Sequence, residues 1–176
     1  MHTILNRRAT ILSLAVSIPL SFVTVWGTSG RDLVSSLLSS NLPVIVPQML
    51  FLAIWTGEAL AYRHVRQLVV LRNKQDVVLE HIVYLYVTMV TLYTILSVTL
   101  KVLFLNGTFI DGPAPVGILL LCLRALVLGL IALLLSGVFN NDALAWLVIA
   151  SVAVNFLYHY VVEYQWLLPL YYGRGR

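Results

Sequence analysis

Apolar residues arrive in five long runs, at about 9–26, 43–62, 82–105, 115–139 and 143–162. Each is close to the ~20 residues a helix needs to cross a hydrocarbon layer. The second run opens at Pro43 and carries Gln48, Thr56 and Glu58. The third closes in Asn106-Gly107-Thr108-Phe109-Ile110-Asp111-Gly112-Pro113, which is glycine and proline turn chemistry, and the fourth stops at Asn140-Asn141-Asp142. A later stretch, Trp166-Leu167-Leu168-Pro169-Leu170-Tyr171-Tyr172, is apolar but only about half a span long. The pattern predicts an all-α polytopic transmembrane helix bundle: one domain over residues 1–176, with five spans and an interfacial, re-entrant or sixth half-span stretch at the C-terminal end. A signal peptide competes for the first run, since basic Asn6-Arg7-Arg8 precedes it. The run is long for a signal core, and Thr28-Ser29-Gly30-Arg31 makes a poor cleavage site, so it reads as a retained span.

Polar residues inside these runs fall in register. Ser151, Asn155, His159 and Glu163 recur every fourth residue, which keeps them on one face of the fifth helix and obliges that face to meet protein or water. Arg124 lies near the middle of the fourth run, where an unpaired arginine costs about 3 kcal/mol, so it should turn inward. With the fifth span ending near 162, Glu163 falls close to a membrane edge. By depth, His159 or Asn155 is the nearer partner for Arg124. These five residues are read as a substrate path or a helix interface. In the first run Ala9, Ser13, Ser17 and Ser21 form a small-residue stripe on which another helix can pack closely. Lys101 is expected to snorkel outward, and Trp26, Trp166, Tyr171 and Tyr172 to form an interfacial aromatic belt.

Composition strengthens the membrane reading: 60% of the 176 residues are hydrophobic and 10% charged, and the mean hydropathy is +0.94. That leaves too little polar surface for a soluble domain. The net charge of +4 comes from residues clustered at the ends of runs, so it reads as a topology signal, with no nucleic-acid partner implied. Arg7, Arg8, Arg63, Arg66, Arg72 and Lys74 fall on one side of a five-span layout and Arg31, Arg174 and Arg176 on the other. The expectation is a multi-pass protein of the cell membrane with its N-terminus cytoplasmic. The single cysteine, Cys122, has no intrachain partner and says nothing about compartment.

Catalytic signatures are missing from the sequence. It has no Gly-x-x-x-x-Gly-Lys phosphate loop, Glu80-His81 belongs to no His-Glu-x-x-His pair, and Gly-x-Ser-x-Gly is absent. His2, His64, His81 and His159 are scattered without cysteine neighbours, which argues against zinc. Neither enzymatic activity, a metal nor a cofactor held by this chain is expected.

The basic segment 63–81 is more telling. Val65, Leu68, Val69 and Leu71 alternate with Arg63, Arg66, Arg72 and Lys74, which suits a short amphipathic helix lying along the membrane face. It suits anionic lipid headgroups or a docking partner, with Glu58 pairing to an arginine nearby. Together with the basic start, the ending Glu58-Ala59-Leu60-Ala61-Tyr62-Arg63, the turn Val69-Val70-Leu71-Arg72-Asn73-Lys74 and the link Phe139-Asn140-Asn141-Asp142-Ala143, the chain resembles small ABC-2-type permeases, the membrane subunits beside bacterial peptide-export and bacteriocin-immunity ATPases. That resemblance implies a membrane-spanning exporter subunit for an amphipathic peptide or lipid-like substrate. It further implies a cytoplasmic ATPase subunit that holds the ATP and docks on about Arg63 to Lys74, and a second membrane subunit or second copy. The family usually has six spans, one more than the five runs here. Two other readings stay open: a vitamin- or small-molecule-binding subunit of an uptake transporter, and a non-transporting scaffold.

Overall fold

The structure, a computed structural model, describes residues 2–28, 32–39, 41–104, 108–137 and 144–173. Long helices are α1 (His2–Gly27), α2 (Asn41–His64), α4 (Gln75–Phe104) and α5 (Ala114–Ser136). The short α3 (Arg66–Leu71) links α2 to α4, and a π-helical turn, π1 (Ser35–Ser39), lies between α1 and α2. The chain then runs through α6 (Leu144–Leu157), a π-helical stretch π2 (Tyr158–Leu167) and α7 (Leu168–Tyr171). There is no strand among the described residues. Among the described residues five helices are long and apolar enough to cross a membrane, so this is an all-α, multi-pass membrane bundle, as the apolar runs predict. Arg31, Arg174, Arg176 and the 138–143 link lie outside the described residues.

Two boundaries differ from the sequence expectation. Residues 75–81 belong to α4, so the basic linker shrinks to 65–74. The Trp166–Tyr172 stretch is no re-entrant piece. Leu157 (φ −61, ψ −43) and Leu167 (φ −79, ψ −43) are both helical, so α6, π2 and α7 form one continuous rod that ends at Tyr171. The π-helical stretch explains how one stripe stays buried along it. In an α-helix a four-residue step overshoots a full turn by about 40°, so after three steps the stripe would have rotated by about 120°. The wider π turn counters that drift. Ser151, Asn155, His159, Glu163, Leu168 and Tyr171 are all buried in consequence.

The tightest pairing is α1 against α4. Thr10 meets Tyr84 at 3.3 Å, the Ser17 hydroxyl donates to the Met89 carbonyl at 3.2 Å and that of Ser21 to the Tyr93 carbonyl at 3.3 Å. Numbers rise together along both helices, so the two run parallel. Ala9, Ser13, Ser17 and Ser21 are all buried, and the helix that packs on the small-residue stripe is α4 of the same chain. Lys101 does not snorkel outward: it is 5% exposed, and its Nζ donates to the Thr28 carbonyl just past the end of α1 at 2.7 Å. A cation at a helix C-terminus is favourable, and the contact replaces hydration lost on burial.

A large apolar core joins α1, α2, α4 and α5. Phe51 stacks on Trp55 with centroids 5.6 Å apart and meets Tyr93 edge-on at 4.9 Å, while the Trp55 Nε1–H points at the Met89 sulfur 3.3 Å away. A smaller core of Val34, Leu38, Leu120, Leu168 and Tyr171 closes the opposite end of the bundle from α3. Tyr171 is fully buried there, so it leaves the aromatic belt expected of it, whereas Trp26 and Trp166 are exposed as a belt requires. Gly117 makes this end possible, because a Cβ would fall 2.6 Å from the Phe109 ring. At its centre sits Asp32. Its Oδ2 accepts from the Val34 and Ser35 amides at 2.9 and 3.1 Å, and its Oδ1 from the Ile110 and Asp111 amides at 2.7 and 3.4 Å. The Tyr171 hydroxyl also donates to Oδ1, at 3.0 Å.

Candidate functional site

The polar stripe of the fifth rod meets α2 and α5 in a buried cluster. Arg124, 6% exposed, is its hub. The guanidinium Nη2 donates to Gln48 Oε1 on α2 and to Asn155 Oδ1 on α6 at 3.3 Å. Nη1 lies 3.4 Å from Glu163 Oε2 on π2, and the Arg124 Cζ sits 5.5 Å from the centroid of the Tyr158 ring. The Glu163 oxygen also meets His159 Nδ1 at 2.8 Å. Ser151, one turn below Asn155, returns its hydroxyl to the Leu147 carbonyl at 2.8 Å and stands apart from the cluster.

The direct Arg124–Glu163 pair corrects the depth argument made from sequence. That argument ended the fifth span near 162, which put Glu163 at an edge. In fact the rod continues to Tyr171, so Glu163 lies eight residues, about 12 Å, inside its end, while Arg124 lies ten residues, about 15 Å, inside the start of α5 at the same side of the bundle. The two charges therefore share a level. Asn155 is also a partner, as depth suggested, and His159 reaches Arg124 only through the carboxylate.

The cluster is incompletely satisfied. Among the described residues Arg124 Nε and Nη1, Asn155 Nδ2, Tyr158 OH and Glu163 Oε1 have no hydrogen-bond partner. Buried polar groups usually have one, and a charged pair in a low-dielectric interior holds best when its remaining donors and acceptors are also engaged. Such a cluster is suited to receive a polar guest or water. Gln48 and Tyr158 were not singled out from sequence. Gln48 carried a signal all the same, being the one amide in the second apolar run, 43–62.

The second candidate surface lies at the other end. No residue of α3 is buried. Leu68 is 57% and Leu71 82% exposed, and a cleft of about 990 Å³ opens between Leu60, Arg63, His64, Arg66, Gln67, Val70 and Leu71. The helix is set off by Val65 (φ −102, ψ 11) at its start and by Asn73 (φ 49) after its end, a left-handed position that asparagine adopts readily. Arg72 and Lys74 are exposed on the same linker. Glu58 pairs with an arginine of another helix. It faces Arg8 of α1 at 3.4 Å, and since Arg8 is 65% exposed the pair is weak. No group of three or more histidine, cysteine or acidic side chains that could hold a metal is found among the described residues. Comparison with protein-family models, with curated proteins and with solved structures gave no match to this chain.

Proposed function

We propose that this chain is a membrane-spanning subunit of a multi-chain exporter of the ABC type, with its N-terminus and α3 in the cytoplasm. ATP is held and hydrolysed by a separate subunit that sits on α3, and the cargo is an amphipathic peptide or lipid-like molecule. A second membrane subunit or a second copy completes the path. The observation that carries this reading is α3 itself: a basic helix with no buried residue, presenting Leu68 and Leu71 to the outside beside a wide cleft. Large exposed apolar side chains rimmed by charge mark a surface that another molecule covers. The helix is joined at both ends to spans. A push on α3 is passed to α2, which carries Gln48, and to α4, which carries the serine contacts of α1.

Charge reversal tests the docking. Arg66→Glu with Arg72→Glu should release a nucleotide-hydrolysing subunit from the complex purified in mild detergent from the native host, while membrane insertion is unchanged. Since single exposed charges are weak, both are changed together. Retention of that subunit at full yield, or the absence of any ATP-hydrolysing partner in the wild-type complex, would sink the proposal.

A further inference from the structure

Among the described residues a groove of about 480 Å³ runs between the start of α1 and α2, lined by Arg7, Arg8, Ile11, Leu12 and Ala15, with Glu58 facing them. Four-residue spacing puts Arg7, Ile11 and Ala15 on one face of α1, and Arg8 and Leu12 in the row beside it. That face is separate from the buried serine stripe that packs on α4. Arg7, Arg8, Ile11 and Ala15 are all exposed. The span of α1 is Arg7–Gly27, so both arginines stand at its end, while Ala15, eight residues on, lies about 12 Å deeper. The groove thus changes from charged to apolar over a distance that passes from the headgroup layer into the hydrocarbon.

An occupant has to match that change. The rim sets two guanidinium groups against one carboxylate, an excess of one positive charge, which the single negative charge of a phosphodiester balances. Glu58 does not hold Arg8 away from such a ligand: their contact is 3.4 Å long and the Arg8 side chain is 65% exposed, so turning it to a phosphate costs little. Guanidinium groups bind phosphate oxygens through paired N–H donors. The floor of Ile11, Leu12 and Ala15 offers no hydrogen-bonding side chain, and it lies within the span. What covers it is therefore an acyl chain. A soluble anion gains nothing from that floor, and a soluble protein that touched the arginines would stop short of Ala15. Basic residues at a membrane surface attract anionic lipids without fixing any one of them; a groove that also takes the chain retains a single molecule.

We propose that this groove holds one anionic phospholipid, with its phosphodiester on Arg7 and Arg8 and the first part of an acyl chain along Ile11, Leu12 and Ala15. The site is independent of docking at α3, and failure of either leaves the other standing. The test uses the full chain in detergent micelles, titrated at constant ionic strength with phosphatidylglycerol, with phosphatidylcholine of the same chains, or with glycerol 3-phosphate. Mass spectrometry of the intact chain counts the lipid retained, and thermal unfolding gives the affinity. Phosphatidylglycerol should be retained at one per chain and stabilise saturably. Phosphatidylcholine, whose choline cancels the charge that the rim selects, should bind about tenfold more weakly, and glycerol 3-phosphate should give no shift. Arg7→Gln with Arg8→Gln should weaken phosphatidylglycerol binding by about tenfold or more. Ala15→Phe, which fills the floor and keeps both arginines, should weaken it at least about fivefold. If the arginine variant does not insert, Ala15→Phe and the wild type decide alone. Equal binding of the two lipids, a shift from glycerol 3-phosphate by itself, or phosphatidylglycerol binding unchanged in Ala15→Phe overturns the proposal and leaves only a diffuse basic surface.

Discussion

Asp32 and Glu163 are both completely buried carboxylates, and the fold treats them in opposite ways. Asp32 is surrounded by neutral donors: four main-chain amides and one phenol share its two oxygens. It ties the start of the α1–α2 connection, the 108–112 segment and the end of the last rod to one point. Glu163 has charged or chargeable neighbours instead, Arg124 and His159, both at the same oxygen, and among the described residues its other oxygen has no partner. Neutral donors that are all in place hold a shape. A charge held mainly by another charge, with donors left over, stays responsive to anything that brings or removes charge. The first arrangement reads as a clasp and the second as a site.

The largest effect that probes this contrast is at the charge pair. Arg124→Leu or Glu163→Leu alone should each destabilise by about 3–5 kcal/mol, because either change strands a buried charge. The double variant should recover most of that loss, since two apolar side chains replace a pair that was already incompletely bonded. Unfolding in mixed detergent micelles measures all three, and additive losses would show that the two residues do not act on each other. At the clasp, Asp32→Ala should cost about 1–3 kcal/mol. No second substitution should restore it, because the donors left behind are main-chain amides. Recovery on adding Tyr171→Phe would break the distinction drawn here. Asn155→Ala should have the smallest effect, about 0.6 kcal/mol, the mean for an interhelical hydrogen bond in a membrane. Gln48 continues to hold the same guanidinium nitrogen. A loss well above about 2 kcal/mol would move Asn155 to the centre of the cluster.

Much of this architecture could be read from the spacing of apolar and polar residues. Runs of spanning length gave the five helices, and four-residue spacing placed Asn155, His159 and Glu163 on the buried face. The same spacing placed Ser13, Ser17 and Ser21 where a helix would pack. Ion pairing was not legible, because it depends on where the last rod ends. The fifth apolar run stops near 162 and the apolar stretch after it is only about half a span long, whereas π-helical winding joins the two into one rod. Lys101 was misjudged for a related reason. A lysine near a helix end ordinarily reaches water, but here a main-chain carbonyl of another helix lies within reach. Asp32 left only a faint mark in the sequence, an aspartate followed by Ser35 at cap spacing. Its far partners, 78 and 139 positions along the chain, cannot be seen in any local window.

The parallel pairing of α1 with α4 also sets a timetable for synthesis. Ser17 and its acceptor Met89 are 72 residues apart, so at about 5–20 residues per second α1 waits on the order of 4–14 s before α4 exists. During that interval its serine hydroxyls have only the carbonyls of their own helix or the insertion machinery to bond to. α1 is thus made well before the helix it packs against most tightly. A nascent chain arrested before α4 should expose the Ser13, Ser17 and Ser21 face to crosslinking with whatever shelters it.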